Sequence, residues 1–404
     1  MTQVVLFEDP HEVADNHFVD ANINVTRING SVDEDQLIEI LRDADMVGIR
    51  SKTSLTRRVL ESCPRLSAIG AYCIGTNQID IPVATENGVA IFNAPYSNTR
   101  SVVELVISDI IALTRRIPPK NSALQRGQWQ KTATGSHEVR GKTLGIIGYG
   151  NIGTQLSVLA EALGMKVIFY DRAERLAMGN AIACKTQEEV LQQADVVSLH
   201  VDGRQSNINM FGEQQFAQMK PGALFINLAR GFVVDIDALA KNLESGHIAG
   251  AAVDVFPEEP KKNGDPFESP LLGFDNTILT PHIGGSTLEA QYDIGKFVSG
   301  KLVDYVLSGS TDMSVNIPNL TLPTSDVARY RVALIHRNNP GVLALVNQTF
   351  AEQGVNITGQ ILGTEGSIGY VLTDISSELP VEAVTAIRDM EETINTRVLT
   401  TPHA

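Results

Sequence analysis

Residues 143–171 constrain the fold more than any other stretch of the chain. Thr143–Ile147 is an apolar run, Gly148-Tyr149-Gly150-Asn151-Ile152-Gly153 follows it directly, and Ile152–Leu163 has helical periodicity. A second apolar run, Val167–Tyr170, ends in Asp171. A bare G-x-G-x-x-G says little, but one that leaves a strand and opens a helix is the setting in which a dinucleotide is bound. Gly148 permits the tight turn, Gly150 lets backbone approach a pyrophosphate, and Gly153 lets the helix pack close to the sheet. The helix N-terminus offers its unpaired N–H groups and positive dipole end to the phosphates. Asp171 suits the ribose hydroxyls and repels a 2′-phosphate, and Asn151 and Ile152 belong with the glycines of the turn to the expected cofactor site. NAD is therefore expected over NADP, with Arg172 next door keeping NADP open.

The pattern around this unit repeats it. Val196–Leu199, Leu224–Ile226, Ile248–Val253 and Thr277–Leu279 are further apolar runs, separated by the helical stretches Gln187–Gln193, Glu213–Met219 and Asp235–Ser245. Alternation of this kind specifies a doubly wound, mostly parallel sheet. The first hundred residues alternate similarly, through Val4–Phe7, Met46–Ile49, Leu66–Tyr72 and Val89–Phe92. A second parallel-sheet domain is expected there. Ser101–Ile117 reads as one long helix stopped by Pro118-Pro119, and Leu288–Leu307 as another that crosses back to the first domain.

The last quarter differs. Gly309–Pro323 is polar and proline-containing, as a linker is. Beyond it come a strand (Tyr330–Ile335), a helix from Val342 to Phe350, strands Asn356–Leu362 and Ile368–Ile375 around the turn Gly363–Gly366, a helix (Val381–Met390) and a strand (Ile394–Leu399). That order is βαββαβ, the ferredoxin-like split unit, here about 75 residues and able to fold as a small module. The fold class is α/β: two doubly wound parallel-sheet domains, Rossmann-like and flavodoxin-like, and a C-terminal ferredoxin-like unit. The expected domains are 1–97 with 286–320, 98–285, and 329–404.

The 404 residues carry 32 Lys+Arg against 47 Asp+Glu, a net charge of −15, which argues against a nucleic-acid partner. Cys63, Cys73 and Cys184 are too few and too irregular for a disulfide scaffold or a zinc site, so no metal is expected. The N-terminus lacks the pattern of a signal peptide, and Glu104 and Asp109 interrupt the apolar stretch Val102–Ile117. A cytoplasmic chain with no membrane partner is expected.

Three residues at strand ends of the nucleotide unit carry chemistry. His282 follows Thr277–Leu279, Glu259 lies past Ile248–Val253, and Arg230 follows Leu224–Ile226. A carboxylate beside an imidazole orients it and raises its pKa, and an arginine fork holds a carboxylate. Carboxyl ends of parallel strands are where such sheets bind ligands.

These segments, with Ala229-Arg230-Gly231, Ala252–Pro260, Thr280–Gly285, Ile74–Asp80 and Phe92–Ser101, resemble the D-2-hydroxyacid dehydrogenases essentially end to end. The resemblance implies His282 as acid/base, Glu259 as its partner and Arg230 as substrate clamp. It implies Asp254 as a supporting acid near the cofactor, and His200, Ala229, Gly284 and Gly285 along the NAD site. Within the family it runs to the branch that oxidises D-3-phosphoglycerate, a small phosphorylated 2-hydroxy acid. Arg50-Ser51-Lys52-Thr53 then looks like a phosphate loop, with Arg50 and Lys52 on one side of an extended segment. Lys52 keeps the charge of an expected arginine but loses its fork. Lys131 and Asn98 resemble further substrate contacts. The tail looks like an ACT domain. Its His336, Asn338 and Asn356 match positions that bind L-serine in serine-inhibited members, and self-association is expected through this unit and the nucleotide-binding one. Substrate and cofactor residues on different domains imply closure about Asn93–Ser101 and Gly284–Leu288 to exclude water. Two other readings stay open: a dehydrogenase of another D-2-hydroxy acid, and a non-catalytic NAD-sensing protein on the same fold.

Overall fold

The computed structural model describes residues 2–260, 264–323 and 325–400, so Met1 and 401–404, the outer ends of the expected domains, lie outside the described residues. The chain forms two compact units, Met1–Ser97 with Gln291–Ala404, and Asn98–Ala290.

In the first unit the strands β1 (Gln3–Phe7), β2 (Asn24–Ile28), β3 (Met46–Ile49), β4 (Ala68–Ala71) and β5 (Ala90–Asn93) form a parallel sheet of order β2-β1-β3-β4-β5. Strand β2 has no counterpart among the apolar runs. Asn-Val-Thr-Arg-Ile is an edge strand without a fully buried residue, so it lacks the continuous apolar signal of its neighbours.

In the second unit β6 (Thr143–Ile147), β7 (Lys166–Tyr170), β8 (Ile182–Ala183), β9 (Val196–Leu199), β10 (Ala223–Asn227), β11 (Ile248–Val253) and β12 (Thr277–Leu279) pair in the order β12-β11-β10-β9-β6-β7-β8. This is the doubly wound order, extended by one strand. The two-residue, exposed β8 escaped the sequence pattern. The long helix expected over Ser101–Ile117 is two helices, Thr99–Thr114 and Ile117–Gln125, with Arg116 between them in a left-handed conformation. Pro118 and Pro119 start the second helix and do not merely stop the first, because proline fits a helix's first turn, where its missing N–H costs nothing.

The tail forms β13 (Tyr330–Arg337), β14 (Ile357–Glu365), β15 (Ile368–Ile375) and β16 (Thr393–Thr400), an antiparallel sheet of order β14-β15-β13-β16. The β14–β15 connection is the two-residue turn Gly366-Ser367, shorter than the four residues expected. One face of this sheet carries the helices Val342–Glu352 and Val381–Arg388. The other face does not stand apart. Ala333, Ile335, Tyr370 and Leu372 share one core with Ile294, Val298, Leu302 and Tyr305 of the helix Leu288–Ser308, and with Val4 and Phe92 of the first sheet. Gly70 makes the close approach possible, since a Cβ there would strike Val298 and Leu302.

The segment 309–323 is also no loose linker. Ser314 bridges Phe92, Val315 N donates to Ile91 O (2.8 Å), and Ile91 N donates to Asn316 Oδ1 (2.9 Å). Its polar groups satisfy the open edge of β5, which would otherwise present unpaired donors and acceptors. Polar composition here reflects edge pairing, not solvation.

Candidate active site

The glycine turn is built as its residues dictate. Gly148 has φ +93°, and a Cβ there would lie 2.5 Å from His200 O. Gly150 is the N-cap of the helix Asn151–Ala162 and contributes no side-chain cap, and the space where its Cβ would lie is open. The first N–H groups of that helix are therefore available to an anion. Asp171 Oδ2 accepts from Tyr149 N (2.7 Å) and Oδ1 from Ala173 N (2.9 Å), so the acid is tied to the turn. Tyr149 is a core residue: its ring stacks on Phe169 and its hydroxyl pairs with Ser157, so its side chain is committed to packing and not to a ligand. Ile152 packs partly into the same core. His200 pairs with Ser198 (2.9 Å), and burial pushes its pKa down to about 3, so its ring is neutral. Among the described residues its Nδ1 is buried without a partner, as is Asn98 Oδ1. An uncapped helix start, an open glycine cradle and orphaned polar atoms fit a dinucleotide.

Strand ends β10, β11 and β12 bring the three chemical residues together. His282 Nδ1 lies 2.8 Å from Glu259 Oε2 and 3.1 Å from Oε1. The Glu259 hydrogen bond raises the imidazole pKa against the opposing effect of burial, and Arg230's charge acts to lower it. For Glu259, burial acts upward, but the His282 bond and charge, the Phe256 N–H and Arg230 outweigh it, and the net shift is downward. Arg230 is thus close enough to be felt by both, and its Nη1 donates to Ala229 O (2.7 Å). A cavity of about 510 Å³ adjoins the pair, lined by Phe256, Phe267, Leu279 and Pro281 beside Glu259 and His282.

Asp254 is the organiser of the loop. It is buried, and its carboxylate accepts from Thr280 Oγ1 (2.6 Å), Ile283 N (2.8 Å) and Gly284 N (2.8 Å), while its carbonyl accepts from His282 N (2.8 Å). These bonds hold His282 at φ +54°, a conformation rare for a residue with a side chain. Gly285 is needed where the loop passes Asn98, since a Cβ would lie 2.6 Å from its amide nitrogen.

Sequence reasoning missed Asp109, on the inner face of the helix Thr99–Thr114. Burial, with the Asp254 charge in addition, pushes its carboxyl up to about 7. An acid among apolar residues of a helix gives no sequence signal of which carboxylate it will face.

In the first unit, Arg50–Thr53 is a bent loop, not the extended segment expected, so alternation cannot place Arg50 and Lys52 on one side. Glu8, another residue the sequence did not single out, accepts from the N–H groups of Arg50, Lys52 and Thr53 in this loop. Lys131 is exposed, in a stretch without regular structure. In the tail, His336 is buried with Nδ1 on Arg337 O (2.8 Å), and Asn338 Nδ2 donates to Gly366 O (3.1 Å). Asn356 precedes β14, whose start pairs with Ile375, whereas His336 pairs with Gly369 at the opposite end of β15. The expected effector residues therefore lie about 20–25 Å apart along one sheet and do not form one site within a chain.

Among the described residues no group of three His, Cys, Asp or Glu side chains is placed to hold a metal, and no helix is long and apolar enough to cross a membrane.

Comparison with known proteins adds the following. Residues 107–284 match the family model of the D-isomer specific 2-hydroxyacid dehydrogenase, NAD binding domain, and residues 332–395 that of the AHAS small subunit-like ACT domain. The chain is 49% identical to D-3-phosphoglycerate dehydrogenase of Haemophilus influenzae over 98% of its own length and 96% of that protein. It is 51% identical to D-3-phosphoglycerate dehydrogenase of Escherichia coli K12, over 93% and 92%. The structure resembles D-lactate dehydrogenase from Aquifex aeolicus complexed with NAD and lactic acid, with TM-score 0.66 and 26% identity over 75% of this chain and 95% of that one.

Proposed function

The chain belongs to the D-isomer specific 2-hydroxyacid dehydrogenase family, with the D-3-phosphoglycerate dehydrogenases, and from that membership we propose the roles of its residues. It is an NAD-dependent oxidoreductase that converts D-3-phosphoglycerate to 3-phosphohydroxypyruvate, the reaction that opens the phosphorylated route to serine. Bound NAD supplies the hydride acceptor. His282 takes the hydroxyl proton, and returns it to the carbonyl oxygen in the reverse direction. Glu259 stabilises the imidazolium, and Arg230 holds the carboxylate and the reacting oxygen. Arg50, Ser51 and Lys52 take the phosphate, with Asn98 and Lys131 as further contacts. Asp254 keeps the His282 loop in place. The observation that carries this reading is the His282–Glu259 pair at 2.8 Å with Arg230's charge beside it.

The test is NADH oxidation with 3-phosphohydroxypyruvate against pyruvate, glyoxylate and 2-oxoglutarate. A clear preference for the phosphorylated acid is expected. Equal turnover of pyruvate would reassign the substrate, and no turnover of any of them would favour an NAD-sensing protein. We include 2-oxoglutarate as a second, weaker substrate.

Asp171→Ala should weaken NAD binding and relax discrimination against NADP, because it removes a ribose acceptor and a charge that repels a 2′-phosphate. The variant also frees Tyr149 N, so part of the loss comes from a looser turn. Binding titrations with both cofactors measure this, and an unchanged preference would place discrimination elsewhere, with Arg172 next to test.

L-Serine is proposed as the effector of the tail. Since His336 and Asn338 lie at one end of the sheet and Asn356 at the other, a single ligand meeting all three needs Asn356 from a second copy, which links effector binding to self-association. Serine titration of wild type, His336→Ala and Asn356→Ala should show inhibition lost in both variants. Point variants serve better than truncation, because removing the tail would expose the core face shared with the helix Leu288–Ser308. Inhibition unchanged in both would move serine away from these residues.

A further inference from the structure

We propose that Glu8 is a positioning residue of the phosphate subsite: its carboxylate holds the Arg50–Thr53 loop by the backbone, so that side chains and not main-chain amides meet the phosphate. The proposal rests on the reading above that this loop takes the phosphate.

Glu8 directly follows β1 and Arg50 directly follows β3. In the order β2-β1-β3-β4-β5 the connections diverge between these two strands, and open α/β sheets bind ligands in the crevice at that point. Glu8 Oε1 accepts from Thr53 N (2.7 Å) and Arg50 N (3.2 Å), and Oε2 accepts from Lys52 N (3.0 Å). Three N–H groups converging in a bent loop make a cradle for an anion. Here the chain's own carboxylate fills it.

The backbone is set up for this. Glu8 (φ +63°) and Asp9 (φ +53°) are consecutive left-handed residues with side chains, a conformation kept only where the surroundings over-determine it. Arg50 is gripped from the other side as well. Gln78 Nε2 donates to Arg50 O (2.7 Å), and Leu55 N donates to Gln78 O (2.8 Å). The loop main chain is thus clamped at both faces. The side chains of Arg50, Ser51 and Lys52 make no hydrogen bond among the described residues. They are the donors left for a ligand, presented on a fixed backbone.

A phosphate entering the amide cradle would have to displace Glu8 or sit beside its like charge. Met instead by a guanidinium, a hydroxyl and an ammonium, it leaves the Glu8 bonds intact. Glu8→Gln is nearly isosteric but puts an amide NH2 against at least one backbone donor. The loop then loses part of its clamp while the rest of the sheet is untouched.

The experiment compares wild type, Glu8→Gln, Glu8→Asp and Arg50→Ala with 3-phosphohydroxypyruvate and with hydroxypyruvate, the same molecule without its phosphate. Melting temperature monitors folding. For Glu8→Gln we expect KM for the phosphorylated substrate to rise about tenfold, with kcat within about twofold and kcat/KM for hydroxypyruvate little changed. Glu8→Asp, which keeps the charge on a shorter arm, should fall between it and wild type. A fall in KM would show that Glu8 competes with the phosphate and would overturn the proposal. So would equal losses on both substrates, the mark of a structural role. If Arg50→Ala is selective for the phosphorylated substrate and Glu8→Gln is not, Glu8 alone is wrong. If neither is selective, the phosphate reading of the loop falls with it.

Discussion

His282→Asn should lower kcat by about a hundred- to ten-thousandfold, the range that general acid–base catalysis contributes. Asparagine is the informative replacement because it tolerates the left-handed backbone that His282 occupies at φ +54°. The Asp254 bonds to the loop also come from backbone N–H groups and Thr280, so they survive the change. What is lost is the proton-transferring ring. NADH binding, followed by fluorescence titration, should persist, which separates loss of chemistry from loss of the site. A kcat within tenfold of wild type would remove His282 from the mechanism.

Glu259→Gln sharpens the same argument. The Glu259 hydrogen bond is the largest influence holding the imidazole pKa above its usual value, so its removal should let that pKa fall. Oxidation needs neutral His282 and is lost as pH falls through the imidazole pKa, so its acid limb should move to lower pH. Reduction needs the imidazolium and is lost as pH rises through it, so its alkaline limb should also move to lower pH. Profiles that do not move would break the pair.

The largest stability effect is expected in the tail. Arg331 and Asp374 are 2% and 1% exposed, paired through Nε–Oδ1 (2.6 Å) and Nη2–Oδ2 (2.8 Å). Arg331 Nη1 also donates to Ser308 O (2.8 Å), the end of the helix Leu288–Ser308. Asp374→Ala leaves an uncompensated guanidinium in the core and should cost about 3–5 kcal/mol. Arg331→Met strands the carboxylate and the Ser308 carbonyl and should cost a similar amount. The double variant Arg331→Met/Asp374→Ala should cost much less than the two single losses added, because no buried charge is left unpaired. Denaturant unfolding of the four proteins measures the cycle. An Asp374→Ala loss below about 1 kcal/mol, or simple additivity, would mean that the pair does not hold the tail.

Arg331 also shows why part of the fold stayed hidden. Tyr330–Ile335 announces a strand by its apolar residues, but nothing local tells that the arginine within it is buried against an acid 43 residues away. The same holds for 309–323, whose polar residues look solvated until β5 is seen to need partners. Strand β2 lacked a signal because it is an edge, and Pro118-Pro119 misled because proline both ends one helix and begins the next.

The sequence by itself determined the alternation of strand and helix, the three-part fold class and the glycine turn with its acid. It also marked His282, Glu259 and Arg230 as residues at strand ends. Each of these depends on short-range physics: side-chain periodicity, glycine's freedom at positive φ, and the polarity of a helix start. Tertiary structure alone decided which side chains meet. It set Asp254 beneath the His282 loop, turned Asp109 toward Asp254, and put the Glu8 carboxylate in the Arg50–Thr53 cradle. It also separated Asn356 from His336 by the length of a sheet, although the resemblance assigned both to one effector site. Contacts of this kind join residues far apart in the chain, and hydrogen bonds and charges act over a few ångströms. Their partners therefore follow from strand order and register, which local pattern leaves open.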